Sequence, residues 1–257
     1  MQHRNSDDNE IITTLTLRDQ QQVIIRRMRD EDINEATDII RAAYLHDCKK
    51  HEHATSEERL CQIFNVPVEK TRHAFHNFHN EKDSVLFVAE LAEKNLNVAQ
   101  LLGCCRVKLN PEGNSKDNGP FGQIGPFATR VGLQGTGIGT ALIRVAEEYV
   151  VRQWHVCEMQ LDARIPKPVE GVVPPMPPLL QFYANRGYRR VGKTTWFNPA
   201  TSNYVTMPDD LAHLERMVKD LLSSKAVENW KYFERQEMGR KLLLSKNEIN
   251  ANDVTFK

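Results

Sequence analysis

The sequence predicts an α/β fold built on a mixed β-sheet, and three observations support this. Segments rich in β-forming residues interleave with segments whose apolar residues recur at helical spacing, which is the pattern of α/β domains. A glycine-dense loop at 132–139 lies between a predicted strand and an amphipathic helix. The chain of 257 residues is 40% hydrophobic and 26% charged, which suits one globular domain, alone or with an appendage.

The first half of the chain is predicted to contain a flexible lead, two helices and four strands. The lead covers residues 1–22, in which the stretch IITTLTL either stays flexible or forms a short ordered segment. The first helix covers 30–44, where an acidic first turn suits the positive end of the helix dipole, and the second lies within 56–80. The predicted strands are 21–28, 84–92, 97–109 and 121–129, of which the second and third form a hairpin.

The second half begins with the helix that follows the glycine-dense loop. Its apolar stripe consists of Leu142, Val145, Ala146 and Tyr149. Residues 156–163 alternate between apolar and polar side chains, which predicts a half-buried strand.

The remaining elements surround a proline-rich connector at 165–178. A short helix at 179–188 is closed by Gly187, since glycine is the usual residue after a helix end. Segments 189–197 and 203–207 are predicted to form a last strand pair. From Pro208 onward, leucines and a methionine at helical spacing predict a long amphipathic helix followed by a polar tail. These residues are Leu211, Leu214, Met217, Leu221 and Leu222.

Composition argues against several classes of function. Lys plus Arg and Asp plus Glu both number 34, so a broad basic surface for nucleic acid is not expected. No apolar run is long enough to cross a bilayer, and the polar start lacks the pattern of a signal peptide, so no membrane partner is expected. The five cysteines show no disulfide framework, which predicts reduced thiols and a cytoplasmic or nuclear location.

No metal site is expected either. His73, His76 and His79 lie three apart on a predicted helix, whereas paired helical metal ligands usually lie four apart and need a further ligand. A solvated helix face explains them better.

The glycine-dense loop was compared with three phosphate-binding patterns. The dinucleotide pattern G-x-G-x-x-G fails because its third glycine falls on Thr140 or Leu142. The P-loop fails because Ile138 stands where its lysine must be. The pattern that fits is Q/R-x-x-G-x-G/A, over Gln134–Gly139, in which backbone N–H groups at a helix N-terminus surround a pyrophosphate.

This loop and a second motif resemble those of the GNAT superfamily of acyl-CoA-dependent N-acetyltransferases. Residues 124–149 (IGPFATRVGLQGTGIGTALIRVAEEY) are similar to the strand–loop–helix unit of that family, and 182–192 (FYANRGYRRVG) are similar to its second signature. The resemblance covers about 23–207. It implies a mixed, mostly antiparallel central sheet that is splayed at the acyl-CoA cleft and flanked by helices. The expected domains are therefore the lead 1–22, the GNAT-like domain 23–207 and a C-terminal helical appendage 208–257.

The resemblance also implies roles for particular residues, with acetyl-CoA as cosubstrate. The backbone of Phe127, Ala128 and Thr129 would pair with the pantetheine arm, beside a bulge whose N–H polarises the thioester carbonyl. Tyr183 matches the general acid, because a phenol stays protonated at neutral pH and can protonate a leaving thiolate. The pyrophosphate would bind the backbone N–H groups of Gln134, Gly135, Thr136, Gly137, Ile138, Gly139 and Thr140.

The sequence does not identify a single general base. Many family members place a carboxylate on the motif strand, where this chain has Gln123. Glu90, Glu158, Asp162 or a chain of water molecules are the alternatives. Met176 also stands where the family often has an asparagine that contacts the pantetheine arm.

The expected activity is transfer of an acetyl group from acetyl-CoA to an amine by direct attack in a ternary complex. The alternative is an acyl-CoA-binding sensor or scaffold without catalysis. The acceptor amine is not identifiable from the sequence. The proline-rich segment 165–178 either lines the acceptor pocket or is a surface excursion. The apolar stripe after Pro208 either packs on the core or forms a homodimer helix.

Overall fold

The computed structural model describes residues 11–17, 20–49, 67–92, 101–111, 119–166, 178–194, 196–198, 203–205 and 212–222. The chain divides into two compact units, residues 1–219 and 220–257. Nearly all of the described residues belong to the first unit, whose architecture follows.

Among the described residues, ten strands form two sheets. The large sheet has eight strands in the order β1-β2-β3-β4-β5-β6-β10-β7, and β8 and β9 form a separate two-stranded sheet. The strands are β1 Ile11–Thr16, β2 Gln22–Arg27, β3 Ser84–Leu91, β4 Leu101–Asn110, β5 Phe121–Thr129, β6 Glu158–Pro166, β7 Arg189–Thr194, β8 Trp196–Asn198, β9 Asn203–Val205 and β10 Ala212–Asp220. Neighbours from β1 to β5 pair antiparallel, as do β10 and β7, whereas β5 and β6 pair parallel. The predicted mixed, mostly antiparallel sheet is confirmed.

Four α-helices in the described part of the chain accompany the sheet. They are α1 Ile33–Lys49, α2 Val68–Asn80, α3 Ile138–Trp154 and α4 Pro178–Ala184, with a 3-10 turn at Asp30–Asp32 before α1. Helix α3 starts after Gly137 and ends at His155, both in the left-handed region. No helix in the described part of the chain is both long and apolar enough to cross a membrane.

The helices cover both faces of the sheet. Cys104 on β4 belongs to the apolar cluster that contains Ala36 of α1 and Phe75 of α2. On the neighbouring Gly103, an added Cβ would lie 3.1 Å from the Leu142 side chain of α3. Since consecutive strand residues point to opposite faces, α1 and α2 cover one face and α3 covers the other.

Two irregularities shape the centre of the sheet. The β4–β5 register shifts between Cys105 and Val107, where β5 contains an additional residue at Gly125-Pro126, joined by a cis peptide bond. The registered β5–β6 pairs run only from Gly122–Met159 to Ile124–Leu161, although both strands continue. The two described strands therefore diverge beyond the bulge, which is the predicted splay.

Two expectations from the sequence are wrong at the ends of the domain. Residues 11–16, placed in the flexible lead, form β1 and pair antiparallel with β2, and the Leu17 N–H donates to the Gln21 carbonyl just beyond that pair. The helix predicted from Pro208 is a strand over 212–220, inserted between β6 and β7. Leu214, Met217 and Val218 are buried, and so is Glu215 between them. A strand that is buried on both faces does not alternate between apolar and polar residues, so the spacing of its apolar residues resembled that of a helix by coincidence.

Two further strands also differ from what the sequence predicts. Strand β6 is buried on both faces rather than half-buried, because Gln160 is 3% exposed on the side predicted to face solvent. Strand β7 pairs with β10 in the large sheet, so only its continuation, β8, joins β9 in the predicted pair. The proline-rich segment beyond Pro166 and the C-terminal tail beyond 222 lie outside the described residues.

Candidate active site

The glycine-dense loop between β5 and α3 is shaped by positive backbone angles. Gly132, Gly135 and Gly137 have φ of 88°, 83° and 101°, a region that glycine adopts without a steric penalty. The Gln134 side chain stays within the loop, where its Oε1 accepts the Gly132 N–H at 2.9 Å. A Cβ added at Gly137 would approach only Leu15 of β1, at 4.0 Å. The loop is therefore held by its own hydrogen bonds and leaves open space beside its glycines.

The first turn of α3 has free backbone donors. The first helical bond runs from the Ala141 N–H to the Gly137 carbonyl at 3.0 Å, so the N–H groups of Ile138, Gly139 and Thr140 precede it. The helix has no side-chain cap at Gly137. The Thr136 N–H, by contrast, is used inside the loop by the Leu133 carbonyl. Three unpaired donors and the positive end of a helix fit an anion such as a pyrophosphate.

The β5 segment after the bulge lies directly beneath this turn. Phe127, Ala128 and Thr129 pair with β4 along one edge, while the β5–β6 pairing has already ended at Ile124. A Cβ at Gly139 would lie 3.1 Å from the Phe127 ring, so the missing side chain lets α3 approach β5 closely. Within the described strands, the other edge of this segment is free to pair with an extended ligand.

Tyr183 on α4 is brought to the same place. Its ring contacts the Phe182 ring at 5.2 Å between centroids, and Phe182 stacks on Phe127 of β5 at 6.2 Å. Tyr183 is 5% exposed, and no described residue forms a hydrogen bond with its hydroxyl. Burial first, then the nearby Tyr44 and Cys105, raise its pKa above the ordinary value for tyrosine. The hydroxyl is therefore protonated and has a proton to donate at neutral pH.

Comparisons with known proteins agree with this geometry. Residues 51–167 match the model of the acetyltransferase (GNAT) family. The chain carries a GNAT-family acetyltransferase domain. The resemblance inferred from the two motifs is thereby confirmed, and acyl transfer with an acyl-CoA donor is the general activity of the domain.

Three solved structures have the same fold. A chimera of the spermidine N-acetyltransferase SpeG from Vibrio cholerae and hSSAT is 14% identical with a TM-score of 0.50, covering 80% of this chain and 98% of that one. NAA60 from Arabidopsis thaliana, in complex with a bisubstrate analogue, is 15% identical with a TM-score of 0.50, covering 77% and 98%. An uncharacterized protein from Bacillus halodurans is 11% identical with a TM-score of 0.50, covering 86% and 96%. No curated protein matches the sequence.

The carboxylates considered as general bases of the GNAT domain all have partners. Glu90 accepts a hydrogen bond from the buried Arg26 at 2.5 Å. Asp162 forms a two-point ion pair with Arg216 at 2.9 and 3.1 Å. Glu158 accepts from the Gln160 amide at 2.6 Å. Because arginines occupy the oxygens of Glu90 and Asp162, these two carboxylates are poor candidates and a water chain is favoured over them.

The bulge presents few backbone groups to the cleft. Pro126 has no N–H, and the Gly125 carbonyl accepts a hydrogen bond from Arg106 at 3.4 Å. The N–H groups at the bulge are therefore those of Gly125 and Phe127. If the thioester carbonyl is polarised at the bulge, one of these two N–H groups must donate the hydrogen bond.

A buried polar network lies behind Tyr183 in the GNAT domain. The Tyr188 hydroxyl donates to Glu147 at 2.9 Å, and Lys219 donates to the same carboxylate at 2.7 Å. Burial raises the pKa of Glu147, and burial together with Glu147 raises that of Tyr188. The Tyr183 and Tyr188 rings are 5.8 Å apart, so this network fixes the surroundings of Tyr183.

Two residues near the site were not identified from the sequence. Glu35 at the start of α1 bonds both Arg130, which follows β5, and the Leu101 N–H at 3.0 Å. Arg186, after α4, contacts Thr140 in the first turn of α3. The only signal for Arg186 was its place inside the second signature. Met176, by contrast, lies outside the described residues, and no group of metal-binding side chains occurs within them.

Proposed function

We propose that the domain transfers an acetyl group from acetyl-CoA to an amine by direct attack in a ternary complex. The observation that carries this proposal is the alignment of three unpartnered features along one path. These features are the first-turn N–H groups of α3, the free edge of β5 and the Tyr183 hydroxyl. Each lacks a protein partner among the described residues, and each matches one part of an acyl-CoA molecule.

Each of these features would have one task. The N–H groups of Ile138, Gly139 and Thr140 would bind the pyrophosphate, and the edge at 127–129 would orient the pantetheine arm. When bound, acetyl-CoA supplies the thioester from which the acetyl group is taken. An N–H at the bulge would stabilise negative charge on the carbonyl oxygen. Tyr183 would give its proton to the departing thiolate, whose thiol has a reference pKa of about 8.5 against about 10 for a phenol.

Direct attack by the amine is supported by the state of the nearby cysteines. Cys104 and Cys105 are buried, and burial raises the pKa of Cys104 to about 12. Burial likewise raises the pKa of Cys105, with smaller contributions from Cys104 and Glu147. A buried thiol that stays protonated is a poor nucleophile, so neither suits a covalent acyl intermediate. Free buried thiols also favour a reducing location, and we place the enzyme in the cytoplasm or nucleus.

One observation favours the alternative, an acyl-CoA-binding sensor or scaffold. Two of the three candidate bases are held in ion pairs, which leaves only Glu158, already an acceptor for the Gln160 amide, among the three. An amine with a pKa near 8 needs little help, however, because an appreciable fraction is already neutral. The acyl donor site is common to both functions, and only turnover separates them.

The test is a calorimetric titration with acetyl-CoA, followed by an amine screen. Gly137→Asp places a carboxylate beside the proposed pyrophosphate, and Gly137→Asn adds a side chain of the same shape without charge. We expect micromolar binding by the wild type, weaker binding by the asparagine variant and none by the aspartate variant.

The outcomes are separable. Equal loss in both variants would mean that backbone strain, rather than charge, explains the effect. Absence of binding by the wild type would contradict both functions. Binding without turnover of any amine would favour the sensor.

A further inference from the structure

Arg186 lies at the junction of the two signature motifs. Its Nη1 donates to the Phe182 carbonyl at 2.5 Å, and its Nη2 donates to the Thr140 hydroxyl oxygen. The guanidinium carbon lies 3.5 Å from the centre of the Phe182 ring. Stacking and two hydrogen bonds thus hold the guanidinium against the first turn of α3, beside its free N–H groups.

Arg186 lacks the carboxylate partner that several other arginines of the described residues have. Ion pairs with Asp or Glu are formed by Arg26, Arg106, Arg130, Arg190 and Arg216. No carboxylate of the described residues is within ion-pair distance of Arg186, and its Nε is buried without a hydrogen-bond partner. Burial lowers its pKa, and only the more distant Glu147 and two tyrosines oppose this. A partly desolvated cation without a counter-ion is costly, and an anion bound beside it would offset that cost.

The Thr140 hydroxyl gains a definite orientation from this contact. Because its oxygen accepts from the Arg186 guanidinium, the hydroxyl proton must point elsewhere, and the N–H groups of the same turn also await an acceptor. A hydrogen bond from a cation also strengthens the hydroxyl as a donor.

We infer that Arg186 is a positioning residue for the donor pyrophosphate. It orients the Thr140 hydroxyl toward the anion and adds positive charge to the N-terminus of α3. This inference rests on the proposed function, since it assumes that the loop binds a pyrophosphate.

The test compares Arg186→Gln with the control Arg190→Gln, which removes a nearby, carboxylate-paired arginine. Both are titrated with coenzyme A, with dephospho-coenzyme A, which lacks only the 3′-phosphate, and with pantetheine, which lacks every phosphate. We expect Arg186→Gln to weaken binding of both nucleotides by about tenfold and to leave pantetheine unchanged, because a charge-assisted contact to the pyrophosphate is lost. The control should match the wild type.

A double-mutant cycle provides the second measurement. Thr140→Val should weaken coenzyme A binding in the wild type but have a smaller effect in Arg186→Gln, because the hydroxyl has already lost its orientation. Should Arg186→Gln unfold, Arg186→Lys replaces it in the cycle, since lysine keeps the charge and loses the second hydrogen bond.

Three results would overturn the inference while leaving the proposed function intact. They are unchanged coenzyme A binding in Arg186→Gln, an equal loss for pantetheine, and a loss confined to coenzyme A, which would assign Arg186 to the 3′-phosphate. If the wild type itself does not bind coenzyme A, the proposed function fails and this inference with it.

Discussion

Two regions of the domain differ in whether their polar groups have protein partners. On the face covered by α1 and α2, buried charges are paired: Arg26 bonds both Asp32 and Glu90, and Arg106 and Lys108 share Glu81. At the splayed end near the start of α3, the Tyr183 hydroxyl, the Arg186 Nε and the first-turn N–H groups have no partner among the described residues.

This difference separates groups that stabilise the fold from groups that await a ligand. Polar groups without a protein partner are available to a ligand, whereas removal of one member of a buried ion pair leaves the other charge uncompensated. The paired region should therefore respond to substitution mainly in stability, and the unpaired region mainly in binding and rate.

The largest expected effect is in the unpaired region, at Tyr183. Tyr183→Phe removes a hydroxyl that forms no hydrogen bond with any described residue and leaves the ring contacts in place. We expect kcat to fall by about 10²–10⁴, the usual contribution of general acid catalysis, with little change in the KM for acetyl-CoA or in Tm. Because burial raises the pKa of Tyr183, the wild-type rate should show no alkaline decline from this group up to about pH 10.

Tyr188→Phe is the matched control for that variant. Its hydroxyl donates to the buried Glu147, so its loss should lower the free energy of unfolding by about 1–3 kcal/mol while kcat changes much less. If the two variants exchanged these effects, the assignment of the general acid would be wrong.

The next effect in size is in the paired region, at Arg26. This side chain is 1% exposed, and Arg26→Met would leave Asp32 and Glu90 buried without their cation. We expect the free energy of unfolding to fall by about 3–5 kcal/mol, measured by urea denaturation. Coenzyme A affinity should be unchanged below the Tm. A large loss of affinity without loss of stability would break the distinction between the two regions.

The smallest effect is a pH dependence at Glu81. Burial alone would raise its pKa, but the hydrogen bond from Lys108 and the charges of Arg106 and Lys108 lower this pKa below its ordinary value of 4.5. Its ion pairs therefore stabilise the fold above that value, and this contribution is lost as the pH falls through the lowered folded-state pKa. The pair is partly exposed, so the wild type should exceed Glu81→Gln by about 1 kcal/mol or less at pH 7.

Denaturation from pH 7 to pH 3 measures this dependence. The difference between wild type and Glu81→Gln should shrink as the pH falls. A difference that stayed constant or grew would contradict the sign of the pKa shift.

The sequence by itself determined the elements whose signals are local. The hairpin of β3 and β4, the loop from Gln134 to Gly139 and the helix after it follow from alternation, glycine spacing and helical period, which neighbouring residues set. The family and the proposed general acid came from the same local patterns, because the first motif lies within one strand–loop–helix unit and the second within one helix–turn–strand unit. The bulge and the splay were expected only through the resemblance.

Tertiary structure decided the features that depend on distant neighbours. Residues 212–220 became β10 because β6 and β7 offered hydrogen bonds and burial on both faces, and these outweighed the helical spacing of the apolar residues. Glu90 and Asp162 changed from candidate bases to ion-pair members because Arg26 and Arg216 lie opposite them in the fold. Arg186 contacts Thr140 because the end of α4 lies against the first turn of α3. Periodicity records which face a residue occupies, whereas only the assembled sheet determines which side chain it meets there.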